Sequence, residues 1–80
     1  MHAANEIFDW VADVLKQQFQ IREEFLRPDA RLVDDLDLDS VDAIDLSIRL
    51  EEKTGLSFKE EDLKAIETIQ DIVDFVHERL

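Results

Sequence analysis

The chain has 80 residues, with 9 Lys and Arg against 21 Asp and Glu, a formal net charge of −12. This length predicts one domain over residues 1–80, and the negative charge excludes nucleic-acid binding through basic side chains. No cysteine is present, which excludes disulfides, a thiol nucleophile and a thiolate metal site. No apolar run is long enough for a membrane span, and we expect a cytoplasmic monomer.

Helix one is predicted over residues 5–18, where apolar side chains recur at helical spacing. Residues 19–39 contain Pro28 and show no sustained period, which predicts a long loop tied down by its apolar side chains. The expected ties are Ile21, Phe25, Leu26, Leu32, Leu36 and Leu38. The three arginines predicted to neutralise the acidic helix that follows are Arg22, Arg27 and Arg31.

The segment 34–50 changes from acids alternating with leucine to apolar residues at helical spacing, which predicts a loop turning into helix two at Ser40. Asp39 suits the N-cap and Asp42 the return position of a capping box, so the Ser40 hydroxyl stays free. A hydroxyl there lies beside unpaired N–H groups at the positive end of the helix, a setting that favours an attached phosphate. The same spacing is also typical of an ordinary helix start.

Helix two is predicted to end at Thr54, with Gly55 as a left-handed stop and Leu56 completing a Schellman-type arrangement. Its helical wheel separates two apolar stripes. The stripe expected in the core is Ala43, Leu46 and Leu50. The stripe expected to be exposed, at least in part, and to meet partner proteins is Val41, Ile44 and Ile48. The alternative is one wide stripe that is wholly buried.

Residues 34–52 hold eight acids and one base, a net of −7 (1 − 8). Such a field attracts basic partner surfaces, although an acidic face also serves solubility alone. The acids predicted to take part in partner recognition are Asp39, Asp42, Asp45, Glu51 and Glu52.

Two catalytic or metal-binding alternatives fail on spacing. The alternation of Asp35, Asp37 and Asp39 resembles an EF-hand, but the sixth and twelfth loop positions would be Ser40 and Leu46 rather than glycine and glutamate. A chain with one glycine also lacks the glycine-flanked elbow of a serine hydrolase. We therefore predict neither a metal site nor a catalytic residue.

The C-terminal part predicts two further helices. A short acidic helix is expected from Ser57 or Phe58 to Ala65, with three side chains turned inward: Phe58, Leu63 and Ile66. Thr68 and Asp71 then resemble a capping box that opens helix four. The apolar stripe expected on helix four is Ile69, Ile72, Val73, Val76 and Leu80.

Residues 38–42, LDSVD, with Asp45-Leu46 and the later 50–52, LEE, resemble the acyl carrier protein family around its modified serine. The short helix at 59–65 and the helix start at 68–70 extend the resemblance over essentially the whole chain. It implies an all-α fold, a small antiparallel four-helix bundle with three main helices and a short third one. It also implies a free-standing carrier rather than an enzyme, with acyl intermediates held as thioesters on a 4'-phosphopantetheine arm attached to Ser40.

The partners implied by the resemblance are a phosphopantetheinyl transferase, a ketosynthase and other acyl-processing or acyl-transfer enzymes with basic docking patches. Fatty acid, polyketide and specialised lipid biosynthesis all stay open as the pathway. The alternatives are a peptidyl or aminoacyl carrier domain and an acidic helical adaptor without the prosthetic group. The family usually has glycine where this chain has Asp37, a departure that bears on the conformation of the loop before Ser40.

Overall fold

The computed structural model describes residues 3–80 and contains four α-helices in that part of the chain. These are α1 (Ala4–Gln18), α2 (Ser40–Thr54), α3 (Glu60–Ala65) and α4 (Ile69–Arg79). A 3-10 turn, Glu23–Phe25, interrupts the long loop, and the described residues contain no β-strand. The predicted all-α bundle is confirmed, while residues 1 and 2 of the predicted domain lie outside the described residues. None of the described helices is long and apolar enough to cross a bilayer.

The core lies between α1, α2 and α4, with α1 packed against both of the other helices. α3 is the shortest of the four α-helices and contacts α2. The fully buried side chains recur three or four residues apart on each main helix, as expected for a helix with one face in the core. The largest of them are Ile7, Val11, Leu15, Leu50, Ile69, Ile72, Val73 and Val76.

The two apolar stripes predicted for α2 are confirmed, except that Ala43 of the core stripe is only half-buried. Leu46 and Leu50 are 2% and 1% exposed, whereas Val41, Ile44 and Ile48 are 70%, 51% and 47% exposed. The alternative of a single buried stripe is therefore wrong. The helix buries one side against α1 and leaves a row of apolar side chains in solvent.

The end of α2 follows the predicted glycine stop with one difference. Gly55 has φ 78° in the left-handed region, and its N–H donates to the Glu51 carbonyl at 2.8 Å. The Leu56 N–H donates to the Thr54 hydroxyl at 3.2 Å instead of reaching back to a helix carbonyl. The stop is therefore the simpler αL motif rather than the Schellman motif, because the Thr54 side chain takes the second donor.

The long loop is held to the start of α4 by backbone hydrogen bonds. The first two N–H groups of α4, from Ile69 and Gln70, donate to the carbonyls of Ala30 (3.1 Å) and Pro28 (2.9 Å). The next N–H group of α4 bonds to the Thr68 hydroxyl in the predicted capping box. Donors that a helix start leaves unpaired are thus satisfied by the loop and by the cap.

Four of the six predicted apolar ties of the loop are buried, namely Leu26, Leu32, Leu36 and Leu38. Ile21 packs on the core edge. The prediction for Phe25 is wrong, because the 3-10 turn leaves this ring 44% exposed while the next residue, Leu26, packs inward. Leu80 is likewise exposed, since it follows the last helical residue of α4.

Two of the three loop arginines pair with acids of the loop itself. Arg31 lies 3.3 Å from Asp34 and 3.6 Å from Asp35, and Arg22 lies 3.3 Å from Glu24. The predicted neutralisation of α2 is wrong, because within residues 3–80 no ion pair joins these arginines to α2. The Arg31 N–H donates to the Asp35 carboxylate at 2.7 Å, and this bond, helped by the arginine charge, holds the pKa of Asp35 below its ordinary value.

We expect Leu46→Ala and Leu50→Ala to lower the free energy of unfolding by about 2 to 5 kcal/mol, because each removes a large buried apolar side chain. Val41→Ala and Ile48→Ala remove side chains already in solvent, and their effect is expected to stay within about 0.5 kcal/mol. Thermal and urea unfolding measure the stability of both pairs of variants. An Ile48→Ala variant that unfolds as readily as Leu46→Ala would contradict the exposed stripe.

Candidate functional site

The capping box at the start of α2 forms as predicted. The Asp39 carboxylate accepts the Asp42 N–H at 2.9 Å, and the Asp42 carboxylate accepts the Asp39 N–H at 3.3 Å. The Asp39 backbone is extended, at φ −97° and ψ −176°, so Ser40 becomes the first residue with helical geometry. The box therefore makes Ser40 the first residue of the helix.

Ser40 is exposed at this helix start. Within residues 3–80, neither its hydroxyl nor the backbone N–H groups of Ser40 and Val41 make a hydrogen bond. These two N–H groups lie at the positive end of the helix dipole, where a phosphate oxygen is a favourable acceptor. The predicted free hydroxyl is thus present and accessible, with unpaired donors beside it.

A cavity of about 620 Å³ has Ser40 on its exposed rim and extends among α2, α3, the start of α4 and the long loop. Its volume is that of a site for a small ligand. The walls are mostly apolar, formed by Leu32, Val33, Leu38, Ala43, Ile44, Leu46, Leu50, Phe58, Leu63, Ile66 and Ile72. The charged residues that line it are exposed or lie at the cap, namely Arg31, Asp34, Asp39, Glu60, Lys64 and Glu67.

The α3 side of the cavity depends on a contact that sequence reasoning missed. The Glu51 carboxylate accepts the backbone N–H of Phe58 at 2.6 Å. The Phe58 ring packs on Phe75 of α4, with 4.6 Å between ring centroids. Because Phe58 is held from outside the short helix, and the Lys59 N–H is taken by Asp62, α3 begins at Glu60, later than predicted.

Four of the five acids predicted for partner recognition already make contacts within the chain. Asp39 and Asp42 form the capping box, and Asp45 lies 3.4 Å from Arg49. Glu51 is half-buried and holds the loop before α3, as described above.

Glu52 is exposed and makes no hydrogen bond or ion pair with residues 3–80. Glu52 alone among the five offers a carboxylate without a hydrogen bond or ion pair to the described residues. The exposed apolar stripe begins directly after Ser40 and continues along α2 at the three- and four-residue spacing of one helix face.

Asp37 occupies a left-handed backbone conformation, with φ 59°. Glycine adopts this region without steric cost, and aspartate is one of the few other residues that tolerates it. Asp37 stands where the resembled family usually has glycine. It nevertheless adopts the left-handed conformation that glycine would adopt. The Leu38 side chain that follows is buried, so the turn directs the chain from the core to the cap at Asp39.

Among the described residues, no three histidine or carboxylate side chains converge to hold a metal ion.

Comparison with known proteins identifies the family. Residues 9–76 match the family model described as the phosphopantetheine attachment site. The chain belongs to the acyl carrier protein family. It is 37% identical over 75 residues to acyl carrier protein 2 of Ralstonia nicotianae, covering 94% of this chain and 93% of that one. It is 32% identical over 80 residues to the acyl carrier protein of Thermotoga maritima, covering 100% and 99%.

The acyl carrier protein of Coprothermobacter proteolyticus is 36% identical over 75 residues, which cover 94% of this chain and 92% of that one. Acyl carrier proteins are carriers rather than enzymes, and their cofactor is covalently bound 4'-phosphopantetheine. The residues present here fit such a group, because Ser40 offers an exposed hydroxyl, two unpaired N–H groups and an adjoining apolar cavity.

We expect Asp37→Gly to raise the free energy of unfolding by about 0.5 to 1 kcal/mol, since it relieves the left-handed conformation. Asp37→Asn is the matched control, because it removes the same charge and keeps a side chain that tolerates this region. Asp37→Ala is expected to be destabilising. Urea unfolding measures all three variants. An equal rise in the free energy of unfolding for Asp37→Gly and Asp37→Asn would mean that the effect comes from the lost charge rather than from the backbone conformation.

Proposed function

We propose that Ser40 is the attachment point of the arm and that the chain carries acyl groups as thioesters for acyl-chain biosynthesis. The observation that carries this proposal is the position of Ser40, exposed at a helix start and at the opening of the apolar cavity. The arm supplies a thiol, which this chain lacks. Ser40 supplies the only atom of the chain that the proposal requires to react.

The other residues act by binding, shielding and recognition. The apolar walls contributed by Leu46, Leu50 and Ile72 favour a hydrocarbon chain over water, because burial of apolar surface is the main stabilising term. A cargo withdrawn into the cavity would be protected from solvent and from enzymes that do not recognise the carrier.

Partner recognition is assigned to the outer face of α2. Val41, Ile44 and Ile48 are exposed apolar side chains that can anchor an interface, and the acids around them carry the charge that attracts a basic patch. The proposed partners are a phosphopantetheinyl transferase, a ketosynthase and other acyl-processing enzymes with basic surfaces. Glu52 is the acid most available to them.

The proposed setting is fatty acid, polyketide or specialised lipid biosynthesis in the cytoplasm, by a single carrier domain over residues 1–80. The apolar cavity supports acyl cargo over the aminoacyl or peptidyl cargo of the alternative, because a charged amine is costly to bury without a partner. The adaptor alternative does not explain why an exposed serine hydroxyl lies at the opening of a cavity.

We expect Ser40→Ala to abolish modification. Wild-type protein incubated with a phosphopantetheinyl transferase and coenzyme A should gain the mass of one arm, and Ser40→Ala should gain none. Ser57→Ala, which changes an exposed serine in the loop after α2, is the matched control and should be modified like wild type. Intact-mass spectrometry measures all three. Modification of Ser40→Ala would contradict the assignment, and an unmodified wild type would favour the adaptor.

The charge proposal predicts that association with the transferase slows by about tenfold or more between about 0.01 and 1 M salt, because screening removes electrostatic steering. Glu52→Gln should slow low-salt association without changing stability, since Glu52 makes no contact within the described chain. Asp13→Asn removes the same charge from an exposed position of α1 and is the matched control. Stopped-flow rates that are flat with salt, or equal for both variants, would contradict a role for α2 charge.

A further inference from the structure

The wall of the cavity beside Ser40 contains one buried polar side chain. Ser47 lines the cavity and is only 6% exposed. It is the only buried polar or charged residue in the described part of the chain. The other polar residues that line the cavity are exposed. A ligand that enters past the rim therefore meets hydrocarbon and one hydroxyl.

The hydrogen bonding of this hydroxyl determines what it can offer. The Ser47 Oγ donates its proton to the Ile44 carbonyl at 2.6 Å. A hydroxyl has one donor and two acceptor lone pairs, so the donor is used while the oxygen can still accept. No donor among residues 3–80 is hydrogen-bonded to that oxygen. The cavity thus presents a hydrogen-bond acceptor and no buried side-chain donor.

Packing does not account for serine at this position. Alanine is more favourable than serine in a helix interior and would suit the apolar walls better. The Ile44 carbonyl is also a helix carbonyl that does not require the serine proton. The oxygen keeps an unused lone pair beside its bond to Ile44, and a ligand that donates to it gains a hydrogen bond sheltered from water.

We propose that Ser47 makes the cavity selective for acyl chains that carry a hydroxyl group over saturated hydrocarbon chains. The hydroxyl of the cargo donates to the Ser47 oxygen, while the rest of the chain contacts the apolar walls. A saturated chain has no donor for that oxygen, so the two kinds of cargo differ by one hydrogen bond in the cavity. This inference rests on the proposed acyl-carrier function and names its substrate class.

The test uses full-length protein loaded at Ser40 with octanoyl arms. The arms are either plain or bear one hydroxyl near the thioester, in the middle or at the far end. Loading is verified by intact mass, and the thermal midpoint is measured relative to the protein with an unacylated arm. One hydroxyl position is expected to raise the midpoint above that of the plain chain by about 4 to 8 °C, the effect of one hydrogen bond in a domain of this size.

Ser47→Ala should remove this difference while still folding and loading, and Ser47→Thr, which retains a hydroxyl, should restore it. As a second readout, thioester cleavage by hydroxylamine should be about threefold to tenfold slower for the preferred hydroxylated chain in wild type only.

Three results would overturn the inference. Equal midpoints for plain and hydroxylated chains in wild type would show no selectivity. A difference that persists in Ser47→Ala would assign it to another group. An equal drop of the thermal midpoint in Ser47→Ala for plain and hydroxylated chains would mean that the serine contacts the arm rather than the cargo. Failure of wild type to load at Ser40 would overturn the proposed function as well, whereas loading with any of the first three results overturns only the hydroxyl preference.

Discussion

The attachment of the long loop to the start of α4 is the constraint on which the rest of the structure depends. Backbone bonds join residues 28–32 to residues 67–70 and include the Leu32 N–H to the Glu67 carbonyl at 2.9 Å. These bonds satisfy donors that α4 would otherwise leave unpaired, and they draw the loop leucines into the core. The Leu38 N–H then bonds to the Leu32 carbonyl at 3.0 Å, which places the chain for the cap at Asp39. The position of Ser40 follows from this path.

Acidic side chains build much of this local order despite a net charge of −12. The third residues of α2, α3 and α4 are all aspartates, and each accepts a backbone N–H just before its helix. Asp71 accepts the N–H groups of Glu67 and Thr68, and these bonds hold its pKa below the ordinary value of 3.8. Its contribution to stability is therefore present above that pH and is lost as the pH falls through the lowered pKa.

α2 serves two environments at once. Its inner stripe, with Leu46 and Leu50, is part of the core, and the same side chains line the cavity beside Ser40. Its outer stripe and acids face solvent on the surface that we assign to partners. Glu51 connects the two, because its carboxylate holds the backbone of Phe58, a wall of the cavity. The helix thus links the proposed sites of attachment, storage and recognition through one rigid element.

The sequence by itself determined the features that depend on neighbours within a turn or two. The Asp39–Asp42 box, the Thr68–Asp71 box, the Gly55 stop and the two stripes of α2 arise from local spacing, because capping and helical periodicity act over three or four residues. Only the tertiary structure decided that the loop arginines do not pair with α2, that Phe25 is exposed and that Phe58 bonds to Glu51. It also decided that Ser47 lies in the cavity wall. These depend on the path of the long loop, and that path is set by backbone bonds between segments distant in the chain, which no local pattern specifies.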